Sequence, residues 1–226
     1  MARSFAKISN VFQGEAAPDP LARAAVTVAW VILLNKPVYP FYVWYLTGEG
    51  VAASLFTLVA VPFYLGVLLL ARRSALSARI ALVLVGTGDT LFETKLFGTG
   101  AGTELFFAAC IMLVAVLFAP KEGWWQRSLA ATVFVAFVFS RIFIGPPLWV
   151  WSDDGLAHLF NLNAFAVASL MTFIALRFAG LASDVDQKQS GHDQAGLRDH
   201  NEIGDDMQDS GALPLDRRHP GARGSD

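Results

Sequence analysis

Six apolar stretches fill most of the first 180 residues, and nearly every Lys and Arg between them falls on alternate connections. A run near 20 apolar residues spans the roughly 30 Å hydrocarbon core of a bilayer at about 1.5 Å rise per residue. The expected fold class is therefore all-α: a polytopic membrane protein with six transmembrane helices in one bundle. Long continuous runs exclude a β-barrel, whose strands alternate over short segments. A mean hydropathy of +0.47 agrees with lipid as the solvent for this chain.

The spans are expected at about 24–46, 51–71, 77–97, 103–119, 128–144 and 157–178. Asn35-Lys36-Pro37 and Pro40 interrupt the first, and Pro62 lies inside the second. Membrane helices tolerate such prolines where neighbours re-satisfy the freed carbonyls. Residues 1–22 form a polar lead-in, which lacks the apolar core of a cleaved signal peptide. The membrane domain then occupies 23–180. From 181 to 226 the chain turns to Asp, Gly, Gln, His and Arg without apolar periodicity, and is expected to be a disordered cytoplasmic tail.

Charge sets the orientation. Arg3, Lys7 and Arg23 precede the first span, Arg72, Arg73 and Arg79 flank the second connection, Lys121 and Arg127 the fourth, and Arg177 ends the sixth span. The remaining connections carry Glu49, Glu104, Asp153 and Asp154, with Lys95 at a border. The positive-inside rule then puts both termini in the cytoplasm, in a multi-pass protein of the inner (plasma) membrane. Trp44, Trp124, Trp125, Trp149 and Trp151 are placed as interfacial indoles.

Ionisable side chains within the spans carry the functional hints, because each is costly in lipid unless paired or hydrated. Lys36 lies 13 residues after Arg23 and Asp89 lies 10 after Arg79, so their depths differ by ~5 Å. They are expected to form an intramembrane ion pair; the competing reading lets Lys36 snorkel to water. Glu93 and Arg141 are each 14 residues from a cytoplasmic arginine and share a depth in the outer half. With His158 and Asn161 they are expected to line a ligand pocket open to the outside, the alternative being an ordinary interhelical polar network. Asp89 and Glu93, four apart, share a helix face, which Lys95 does not.

Other chemistries find little support. Cys110 stands alone, which rules out an intramolecular disulfide and a cysteine cluster. His192, His200 and His219 are too scattered for a metal site. Gly86-Thr87-Gly88 and the glycines of 98–102 lack the lysine of a phosphate loop; the first cluster reads as close helix approach, the second as a flexible external turn. No metal, cofactor or catalytic residue is expected, and a net charge of −2 argues against nucleic acid as a partner.

The order of features resembles a family. The broken first span, the arginine-flanked turn and the glycine-rich third span are followed by Gly98-Thr99-Gly100-Ala101-Gly102-Thr103-Glu104-Leu105-Phe106-Phe107 and a span ending Leu117-Phe118-Ala119-Pro120. This is similar to the six-helix N-terminal membrane modules of bacterial class III adenylate/guanylate cyclases and related sensor diguanylate cyclases and histidine kinases. The resemblance covers about residues 20–180 and implies a module that anchors, dimerises and senses, while a following cytoplasmic domain does the chemistry. Here no cyclase, GGDEF or kinase signature follows Arg177. The expected function is thus a sensor or anchor without catalysis of its own, with the bilayer, a second copy and a cytoplasmic effector as partners. Two alternatives stay open: a small secondary transporter or channel using the intramembrane charges, and a truncated or frameshifted membrane-bound nucleotide cyclase.

Overall fold

The computed structural model describes residues 19–180, all of whose regular structure is helical. The expected disordered tail at 181–226 and most of the lead-in lie outside the described residues. Helix α1 runs Pro20–Asn35 and α2 Tyr39–Thr47, with the two axes bent by 43°. Next come α3 at Val51–Ala71, α4 at Ala75–Phe97, α5 at Thr103–Leu117, α6 at Pro120–Phe143 and α7 at Asp153–Gly180. Four of these, α3, α4, α6 and α7, are long and apolar enough to cross a membrane, and the α1–α2 pair makes a fifth if taken as one broken span. Helix α5 is apolar but shorter.

Local chemistry explains the boundaries. Asp19 caps α1, its carboxylate accepting from Leu21 N at 3.0 Å, and Pro20 takes the first turn where its missing N–H costs nothing. The first helix therefore starts four residues ahead of the apolar run and absorbs the end of the polar lead-in. Pro62 tightens the middle of α3 into a 3-10 turn over Phe56–Ala60, because its ring crowds the preceding carbonyls. Ser74 caps α4, and Ser152 caps α7 by accepting from Gly155 N at 3.0 Å.

Helix α4 is the centre of the bundle and packs on α1, α3, α5 and α6. Two apolar clusters lie along it. One is built on Val28, Leu33, Tyr64, Leu82, Val83, Leu113 and Leu117, the other on Tyr39, Val43, Leu96, Phe97, Trp151 and Leu159. The outer surface is greasy: Tyr45 is 82% exposed, Trp124 75% and Phe165 74%. Such a surface is foreign to a water-soluble monomer and natural against lipid.

Two features depart from the sequence reading. The glycine-rich stretch after α4 is no loose turn. Gly98 and Gly102 hold positive φ (87° and 74°), and a Cβ on Gly102 would meet the Phe160 ring at 2.8 Å. Trp151, expected as an interfacial indole exposed to lipid headgroups, is instead packed inside the protein, against Phe97 with ring centroids 5.6 Å apart and against Gly50, whose missing side chain makes the room.

Candidate functional site

A charged centre occupies the seam between the two apolar clusters. Leu33 and Tyr39 bracket Lys36 on one side, while Val83 and Leu96 bracket Asp89 and Glu93 on the other. Lys36 sits at the break between α1 and α2, where the turn over residues 36–38 carries its side chain into the bundle. Its Nζ lies 2.6 Å from Asp89 Oδ2 and 2.6 Å from Glu93 Oε1. The four-residue spacing puts both carboxylates on one stripe of α4, so one ammonium reaches both. From α3, the Tyr64 hydroxyl donates to Asp89 Oδ2 at 3.1 Å. All three charged side chains are nearly sealed, at 9%, 8% and 11% exposure for Lys36, Asp89 and Glu93. Asp89 Oδ1 is buried without a hydrogen-bond partner.

A hydroxyl and amide relay lies beside the centre. Tyr39 OH donates to Asn163 Oδ1 at 3.1 Å, and Asn163 Nδ2 donates to the Ala101 carbonyl at 2.8 Å. This ties α2 to α7 and to the tight turn after α4. On the α5 side, Cys110 is buried, with its Sγ beside Gly86.

The four residues expected to line an outer pocket do not come together. Glu93 turns inward to Lys36. Arg141 instead pairs with Glu104 at 2.8 Å, and Ser140 Oγ donates to the same carboxylate at 3.3 Å. His158 and Asn161 face outward on α7, and the buried amide of that helix is Asn163. The reason is rotational. Counting residues from a membrane boundary gives height along a helix, not the direction in which a side chain points.

A second ionic cluster has no counterpart in the sequence reading, which uses Arg79 only as a cation flanking the second connection. Arg79 is buried and makes a two-pronged bond to Glu122, both prongs 2.8 Å. It also donates to the Leu117 carbonyl at 2.8 Å, lies 3.3 Å from Asp19 and covers the Phe118 ring at 5.7 Å. The available signal was Ser74: a cap there places Arg79 in the second turn of α4, inside the helix. At the other end of α4, Lys95 Nζ donates to the carbonyls of Ile144 and Pro146, closing the end of α6.

Outside the spans, Glu49 accepts from Ser152 Oγ at 2.6 Å and from Ser152 N at 3.1 Å. These two bonds hold the Glu49 carboxyl below the usual range, against a small opposing push from desolvation. Among the described residues, no group of three or more His, Cys, Asp or Glu side chains is placed to hold a metal. What the Lys36 centre can do chemically is hold segments together by charge and change that hold when a charge changes. Comparison of the chain with protein-family models and with curated proteins found no match.

Proposed function

We propose that the chain is an integral membrane sensor or anchor of six spans, with both ends in the cytoplasm and no catalysis of its own. It would report to a cytoplasmic effector or to a second copy. In this reading α1 and α2 form one broken span and α5 counts as the short sixth. The observation that carries it is the Lys36 centre: one ammonium clamps the break between α1 and α2 to α4, and Asp89 extends the clamp to α3 through Tyr64. A buried clamp joining three segments is suited to a two-state joint, whose equilibrium a modest change in local interactions biases. The resemblance to the membrane modules of cyclases and sensor kinases supports the same reading. Lipid is the first partner, through the apolar outer surface.

A second reading, a small secondary transporter or channel, is favoured by the 43° break at Lys36, since broken helices with charged residues mark solute paths in transporters. Reconstitution of the full chain into liposomes separates the two. The expected result is no flux of protons, alkali ions or small solutes above that of protein-free vesicles. Flux that Asp89→Asn and Glu93→Gln each abolish would replace the sensor with the transporter.

A further inference from the structure

The Lys36 centre carries one positive and two negative side chains inside a sealed interior. Two carboxylates around a single ammonium leave one uncompensated negative charge if both are ionised. An unpaired charge in such surroundings costs several kcal/mol or more, so buried groups are neutralised instead. Surrounding side chains do not supply the missing charge. Tyr64 from α3, Tyr39 from α2 and Cys110 from α5 are neutral phenols and a thiol, and Asn163 from α7 reaches Tyr39 only as an amide. The nearest further cations on α4 are engaged elsewhere: Arg79 with Glu122 and Asp19, Lys95 with carbonyls of the turn after α6. Arg141 on α6 is committed to Glu104.

The second observation is Asp89 Oδ1. It is a carboxyl oxygen buried on a side chain only 8% exposed, and it has no donor, although its sister oxygen has two. A fully ionised carboxylate has acceptor sites to fill on both oxygens, so a buried oxygen left without a donor is tolerated better on a carboxyl that does not carry the full charge. We infer that Asp89 and Glu93 together form a binding site for one exchangeable proton, held beside Lys36 so that the centre is neutral as a whole. The proton belongs to the coupled pair and not to either residue. Its release leaves a net negative charge at the break between α1 and α2, and its binding restores balance. The proton site rests on burial, on the charge count and on the unpartnered Asp89 oxygen, and on no functional reading. It therefore holds whether the protein senses or transports, and fails independently of either.

The test is infrared spectroscopy of the full chain in lipid nanodiscs, with choline as the only added cation. At neutral pH the protein should show the carbonyl stretch of one neutral carboxylic acid, lost in a single-proton step on raising the pH. Labelling all Asp or all Glu with carbon-13 at the carboxyl shifts that band and assigns it without any substitution. Asp89→Asn and Glu93→Gln each balance the charge and should each remove it. Lys36→Met leaves two carboxyls without a counter-charge and should double it. The inference is overturned if the wild-type chain shows no such band at neutral pH. A band that survives either amide substitution, or that sodium in place of choline removes at fixed pH, overturns it equally.

Discussion

At the scale of single residues, the Lys36 centre makes an asymmetric prediction about cost. Asp89→Asn or Glu93→Gln leaves a one-to-one pair, and each should lower stability by only about 1 kcal/mol, the net worth of an ordinary buried hydrogen bond. The double substitution strands the ammonium and should cost about 3–5 kcal/mol, well above the sum. Lys36→Met alone should be comparably costly, and adding Asp89→Asn to it should recover part of the loss. Unfolding in mixed micelles measures all of these; strictly additive single costs would rule the shared clamp out. Glu49 makes a different kind of prediction, one of pH. Its carboxyl is held below the usual range by the Ser152 hydroxyl and N–H. A lowered folded-state value means the stabilisation is complete above the unfolded value of about 4.3 and is lost as pH falls through the lower folded one. The gap in melting temperature between wild type and Glu49→Gln should hence be constant above about pH 5 and close in more acid solution.

Helices and their junctions show why some of this architecture was legible in the sequence and some was not. The broken first span could be read because Pro37 and Pro40, three residues apart, remove two backbone donors within one turn, and Pro40 then takes the first turn of α2, where its missing N–H costs nothing. The start of α6 could not. Apolar content suggested Ser128, whereas Pro120 and the Glu122 side chain, accepting from Ala119 N at 2.9 Å, begin the helix eight residues earlier. Polar residues that cap and pair look like loop in a hydropathy profile. The Lys36–Asp89 contact was anticipated from matched depth, yet Glu93 was assigned to the wrong neighbour, because depth fixes one coordinate of a side chain and rotation about the axis fixes the other. Gly50 illustrates the same limit. Its φ of 67° and the Trp151 ring lying where a Cβ would go make it the hinge-pin of the turn between α2 and α3. Gly50→Ala should cost about 2–4 kcal/mol, combining left-handed strain with overpacking. Gly48, also at positive φ but with open space around it, should pay the backbone term alone, about 1 kcal/mol. Melting temperatures of the two alanine variants compare them directly.

On the scale of the whole molecule, the number of crossings turns on α5, whose 15 residues reach only ~22 Å, against ~30 Å of hydrocarbon. The contacts at its two ends bear on the answer. Near its start Thr103 Oγ1 bonds Thr94 Oγ1 of α4 at 3.1 Å, and at its finish the Leu117 carbonyl accepts from Arg79 of α4 at 2.8 Å. Arg79 and Thr94 are themselves ~22 Å apart along α4. Helix α5 thus runs antiparallel to α4 over the same interval, and α6 returns from Glu122, beside Arg79, to Arg141, beside Glu104. In the six-span reading proposed above, α5 and α6 cross the bilayer beside α4, and the shortness of α5 is expected to be met by local thinning or by the polar side chains at its ends. Single-cysteine variants in a Cys110→Ser background test this. An impermeant maleimide should label Thr99→Cys and Asp153→Cys on intact spheroplasts, and Arg73→Cys and Lys121→Cys only after permeabilisation. Labelling of Lys121→Cys from the same side as Thr99→Cys would make α5 a re-entrant hairpin, leave an odd number of crossings, and put the two ends of the bundle in different compartments.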